Sequence, residues 1–281
     1  LVGSEMCIRD RTQPIIGTQI NFKIYDTIGL LPLYALNEIG YKNIIDLSSV
    51  SYLKNDELSD PHVTFDYLLN NSEGIALFSG TVFGLFGQLF DKGKFTEIHD
   101  LYNKIKSKFG DRFYIEIQRH KDLNENSFEK FNLKKSSDLQ IPIIGTNEVY
   151  YLDKNMYEAH DALICIGNKT YVNEKNRLKL TDQHYFKNNS EMSELFADLP
   201  EALENNYNFP LRCNFRPLFS KPILPNISQD KGGNANDILI KDSSDGLKTK
   251  FEKVFKIQTN DIDTNPVSYT HLTLPTRRGV V

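Results

Sequence analysis

The sequence predicts an α/β fold with a largely parallel sheet, built as a barrel or as a doubly wound sheet. Three observations lead there. Compact apolar runs rich in β-branched residues alternate with longer segments of helical spacing, which is the pattern of strands in one layer and helices packed on it. The runs read as buried strands ending in polar residues, and in either architecture functional groups gather at the C-terminal ends of strands. No internal repeat is present, so a solenoid is not indicated.

The elements follow in chain order. QPIIGTQINFKI (13–24) reads as a buried strand around Gly17, and GLLPLYAL (29–36) is a second apolar run. Beyond it Ile39, Ile44, Ile45 and Leu47 keep helical spacing. GIALFSG (74–80) is a compact strand bounded by glycines. Two helices are expected next, over VFGLFGQLFDKG and over FTEIHDLYNKIKSKFG, the latter stopping at Gly110. RFYIEIQRH (112–120) alternates, with Phe113, Ile115 and Ile117 expected inward and Arg112, Glu116 and Gln118 outward. IPIIGTNEVYYL (141–152) reads as another buried strand, followed by a helix over DKNMYEAHDALICIG. SEMSELFADLPEAL holds two short helices divided at Pro200. From about 220 to 266 the chain is polar, with SQDKGGNAND expected as a loop and LKTKFEKVF as one short helix.

The ends differ from this body. LVGSEMCIRDR (1–11) and VSYTHLTLPTRRGVV (267–281) resemble translated sequencing adapters and are set aside from fold reasoning, leaving residues 12–266 as natural protein. The formal net charge of the 281 residues is -4, and it grows more negative without Arg9, Arg11, Arg277 and Arg278. An acidic domain is poorly suited to gripping a phosphate backbone by itself. Outside the first segment only Cys165 and Cys213 remain, without Cys-x-x-Cys spacing, which fits a reducing cytoplasm. No apolar run has the length of a membrane span.

Six stretches taken together carry a resemblance: QPIIGTQINF, LYALNEIGYKNIIDLSSVSY, RFYIEIQRH, IPIIGTNEVYYL, AHDALICIGNKT and SEMSELFADLPEAL. Their order and spacing resemble the polymerase-and-histidinol-phosphatase (PHP) domain at the front of bacterial replicative DNA polymerase III alpha subunits. ILPNISQDKGGNANDILIKDSSDGLKTKF resembles the segment that leads onward to the polymerase palm. The resemblance implies an irregular (β/α) barrel truncated at its N-terminal strand or strands, with residues 12–220 as the PHP domain and 221–266 as a connector. A barrel so truncated is expected to expose unpaired backbone and to be poorly soluble or partly molten when made alone.

Active members of the family hold a metal cluster at strand ends through His, Asp, Glu and sometimes Cys, and use it to activate water. By resemblance, the acidic ligand of the second strand falls at Gln19, which carries no charge, and the next His falls at Leu30, which has no donor. The His of the RFYIEIQRH strand is kept as His120. The Asp-x-His pair falls at Glu148 and Tyr150, a longer acid and a phenol that is a weak ligand for hydrolytic metals. The pocket therefore reads as degenerate, with no metal or other cofactor expected in this piece. The resemblance implies Mg in the polymerase domains of the parent protein, DNA contacted through those domains, and docking of the proofreading exonuclease and other replicase subunits on a scaffold. The alternative is a stand-alone metal-dependent PHP phosphoesterase, which requires intact ligands at 19, 30, 148 and 150. A third reading is a binding module unrelated to replication, which composition leaves open.

Other residues have plainer readings. His160-Asp161 is local support on a helix, because no partner stands at helical spacing. Cys165, among Leu163, Ile164 and Ile166, is a buried small hydrophobe. Cys213 lacks a recognisable base and is not expected to be a nucleophile. Gly145-Thr146-Asn147 is not a phosphate loop.

Overall fold

In the computed structural model residues 13–55, 59–217, 234–250 and 252–253 are described. The chain falls into two compact units, Leu1–Pro217 and Leu218–Val281. The adapter-like ends lie outside the described residues, as does most of the connector around 234–250.

The first unit is a six-stranded sheet with helices packed on it, the mixed α/β architecture of the barrel-like fold that the resemblance implies. β1 (Gly17–Ile24) and β2 (Thr27–Ala35) form an antiparallel hairpin in which Ile24 faces Thr27 across a two-residue turn. Tyr25 takes a left-handed conformation there, with φ of 52°. β1 also pairs in parallel with the short β3 (Val63–Thr64). β2 pairs antiparallel with β4 (Ile75–Phe78), and β5 (Phe113–Ile117) and β6 (Ile143–Gly145) follow in parallel. The order is β3-β1-β2-β4-β5-β6. A largely parallel sheet was expected, and both pairings made by β2 depart from it. The reason is local: a two-residue connection joins only antiparallel neighbours.

The helices take their places in sequence. α1 (Glu38–Leu53) starts at Asn37, whose side chain accepts from the Gly40 amide at 3.0 Å. It lies so close to the start of β4 that a Cβ on Gly40 would come 1.9 Å from the Gly74 carbonyl oxygen. α2 (Phe65–Asn70), α3 (Leu85–Asp91) and α4 (Phe95–Phe109) come next, α4 ending at Gly110 with φ of 59°. α5 (Glu125–Leu139) and α2 are helices that the sequence reading does not assign. α6 (Tyr157–Asn168) follows a short 3-10 turn, Lys154–Met156. α7 (Asn189–Leu195) opens with a capping box of Asn188 and Glu191, and α8 (Pro200–Arg212) has its proline at the start. In the second unit α9 (Ala235–Lys250) replaces the expected loop-then-helix: Asn234 accepts from the Asn236 amide at 3.1 Å and starts the helix inside the polar stretch.

The core explains why the strands read as continuous apolar runs. On one face Phe22, Leu31, Leu33, Leu77, Phe113 and Ile115 pack with α1 to α5 residues such as Leu47, Phe86 and Tyr102. On the other Ala76, Phe78, Tyr114 and Ile144 meet Phe209 and Cys213. β4 and β5 are therefore buried on both sides. This overturns the outward placement of Glu116: every residue of β5 is buried, and Glu116 points into the second face. α8 covers the free side of β6, where Asn205 and Asn206 donate to the Ile143 and Gly145 carbonyls at 2.8 and 2.6 Å. Only Ile143–Gly145 of the expected 141–152 strand is strand; Thr146 to Leu152 is a loop that turns across the strand ends.

Candidate functional site

Residues within β1 and β2, the segments that follow β4 and β6, and one side of α6 border a cleft of about 300 Å³. Gln19 comes from β1, and Leu30 and Pro32 from β2, with Gln19 directly opposite Pro32 in the hairpin. The turn after β4 supplies Thr81 and Phe83, the loop after β6 supplies Glu148 and Tyr150, and α6 supplies His160 and Ile164. Four of the five positions carried over by resemblance, Gln19, Leu30, Glu148 and Tyr150, thus meet in one place, while His120 is not on the cleft wall.

The chemistry of this cleft is poor in ligands. Gln19 offers an amide and Leu30 nothing. The Tyr150 hydroxyl donates to Glu148 Oε1 at 2.9 Å. Burial, together with the Glu148 carboxylate beside it, pushes the Tyr150 phenol well above its ordinary range, so it stays protonated at neutral pH. One carboxylate, already engaged by a phenol, does not fit a cluster of divalent ions, which needs several anionic or imidazole donors converging.

His120 lies at the end of β5 in a second, drier cluster. Its ring stacks on His184 at 4.0 Å between centroids and 7° between planes. Both are 1% exposed. Asn147 organises the surroundings: its Nδ2 donates to the Tyr185 carbonyl at 2.9 Å, which turns Oδ1 toward His120 Nε2 at 3.1 Å and Lys187 Nζ at 3.0 Å. The Glu125 carboxylate accepts from the His120 and Lys121 amides, both at 2.7 Å, and so holds the tight turn in which Lys121 and Asn124 have positive φ. Burial, reinforced by His184 and Lys187, lowers the His120 pKa to about 4, so the ring is neutral at pH 7. Burial also lowers the Lys187 ammonium and raises the Glu125 carboxyl.

Asp122 and His184 belong to this cluster and were not found by sequence reasoning. His120-Lys121-Asp122 places two donors two residues apart, a signal that was available; His184 lies more than sixty residues further along the chain and had none. Glu116 is a third missed group. Ser79 Oγ accepts from its amide at 2.9 Å, and its carboxyl accepts from Gln118 at 3.0 Å and from the Thr146 hydroxyl. Burial raises its pKa. Asp161 makes a two-pronged pair with Arg177, each bond 2.6 Å, while His160 leans on Tyr150 and Tyr151 and lines the cleft. Cys165 and Cys213 are buried, and burial raises the Cys213 thiol, which removes the nucleophilic form.

Residues 4–120 match the PHP domain family. The chain is 38% identical over 222 residues, 79% of its length, to a DNA polymerase III subunit alpha of Caulobacter vibrioides, covering 19% of that protein. It is 35% identical over 258 residues to the protein of that name in Rickettsia bellii, covering 91% of this chain and 22% of the relative. A third, from Borreliella burgdorferi, is 35% identical over 226 residues, covering 76% of this chain and 20% of the relative. The chain spans about a fifth of the length of these relatives. Among the described residues no helix is long and apolar enough to cross a membrane.

Proposed function

We propose, on the premise that this chain belongs to the PHP domain family and is a homologue of DNA polymerase III alpha subunits, that it serves as a non-hydrolytic scaffold within such a subunit. The parent protein would carry out template-directed DNA synthesis in the cytoplasm, with Mg and DNA held by its polymerase domains. The present domain would dock the proofreading exonuclease and help assemble the other replicase subunits.

The observation that carries the scaffold reading is the cleft at Gln19, Leu30, Glu148 and Tyr150. A PHP phosphoesterase would need anionic or imidazole donors at these four positions, and only Glu148 supplies one. What these residues do is bond the Tyr150 hydroxyl to Glu148 in a cleft lined also by the apolar Leu30, Phe83 and Ile164.

The test has two arms. The 281-residue chain is assayed for hydrolysis of a chromogenic phosphomonoester with added Mn²⁺ or Zn²⁺, and mixed with the cognate exonuclease for size-exclusion chromatography. No turnover beyond that of a Glu148→Gln variant, together with co-elution, is the expected result. Metal-dependent turnover lost on Glu148→Gln would return the phosphoesterase reading, and failure to co-elute would remove the docking role.

A further inference from the structure

We propose that His120, Asp122 and His184 form a binding site for one divalent transition-metal ion of the zinc class, adjoining the cleft at Tyr150 but built from residues that do not line it. The site would fasten the turn after β5 to the segment around residue 184, and it goes beyond the scaffold reading without needing hydrolysis.

His184 Nδ1 faces the Glu148 carbonyl at 3.3 Å, and a backbone carbonyl only accepts, so Nδ1 carries the hydrogen. Nε2 is left with a lone pair. That atom is buried without a hydrogen-bond partner and lies 3.5 Å from Asp122 Oδ2. A lone pair facing a carboxylate in a dry site is repulsive unless a cation sits between them. A backbone carbonyl holding one ring nitrogen while the other faces inward is the usual support for a metal-bound imidazole.

Distance favours an ion over a proton. A proton shared between imidazole and carboxylate draws the heavy atoms to ~2.7–2.9 Å. Two ligands on a tetrahedral ion with bonds of ~2.0–2.1 Å stand about 3.4 Å apart, close to the 3.5 Å observed. A third donor is at hand: one ligand atom from each of His120, Asp122 and His184 can be chosen so that all lie within 4.8 Å of one another. Two imidazoles and a carboxylate are a donor set suited to zinc, manganese or iron rather than calcium. The parallel rings of His120 and His184 do not aim two in-plane lone pairs at one point. Loading therefore requires His120 to turn and leave Asn147. Lys187 opposes the ion, while the nearby Glu125 carboxylate favours it.

The chain is stripped with a chelator and titrated with Zn²⁺ by calorimetry, then with Co²⁺ by visible absorption. One equivalent is expected to bind with a tetrahedral cobalt spectrum and to raise the melting temperature. Asp122→Asn and His184→Gln, both close in shape to the residues replaced, are expected to weaken binding by about 100-fold. His160→Ala, in the cleft, should leave it unchanged. Because Cys7 and His271 are also possible donors, the assignment rests on these variants and not on stoichiometry. Binding that is unaffected by Asp122→Asn and His184→Gln would overturn the proposal. So would the absence of Zn²⁺ binding with His184 shown by NMR to be an imidazolium paired with Asp122. Neither result bears on exonuclease docking, so this inference and the scaffold reading fail separately.

Discussion

Glu116 and His120 give stability opposite dependences on pH. The Glu116 carboxyl is buried and its pKa raised, so above the ordinary carboxyl range near ~4.3 the unfolded chain has released a proton that the folded chain still holds. Its contribution therefore falls as pH rises through that window. His120, lowered to about 4, remains neutral where the unfolded imidazole is charged, and its contribution is lost as pH falls from about 6.5 toward 4. Glu116→Gln keeps an acceptor for Gln118 and Thr146 and removes the ionisation. It is expected to stabilise the fold by about 1 kcal/mol at pH 8 and by little at pH 4. Urea unfolding of both proteins at the two values checks this, and equal gains at both would contradict it. The alternation in RFYIEIQRH suggested an outward Glu116 because period-2 reasoning assumes one wet face. That assumption fails for a strand covered by Tyr102 on one side and Phe209 on the other.

At the level of elements, α4 and α5 are joined by one buried polar contact, the Tyr102 hydroxyl donating to Asn132 Oδ1 at 3.0 Å. Asn132 Nδ2 has no partner, so the amide already carries a desolvation cost. Tyr102→Phe removes its remaining side-chain bond and is expected to cost about 1–3 kcal/mol, measured by urea unfolding. Tyr102→Phe with Asn132→Leu should recover part of that loss, because an apolar pair leaves no unsatisfied group. Most elements were legible: Gly110 ends α4, Pro200 begins α8, and the Ile75–Phe78 run is a strand. α5 was missed because its sequence, ENSFEKFNLKKSSDL, is polar and buries only Phe128 and Asn132. A helix held mainly by such anchors shows little apolar periodicity. α9 begins inside an expected loop because Asn234 caps it, and a cap residue is equally at home in a turn.

Over the whole molecule, a net charge of -4 sets what the chain can bind unaided. Fluorescence anisotropy with a labelled duplex is expected to show no saturable, salt-sensitive binding at about 150 mM salt, since a chain with an excess of acidic residues repels a polyanion overall. Micromolar binding that weakens steeply with salt would show that this domain contributes directly to DNA affinity. The sequence by itself determined the alternation of strands and helices, the strand at Ile75–Phe78, the likeness to PHP domains and the absence of a charged or imidazole side chain at Gln19, Leu30 and Tyr150. These are properties of local pattern and of residue identity. Only the tertiary structure decided that Gln19, Leu30, Glu148 and Tyr150 share a cleft while His120 turns away to stack on His184. That pairing joins a turn after β5 to a segment beyond α6. Residues so far apart in the chain are brought together by the packing of the sheet and its loops, which no local periodicity records.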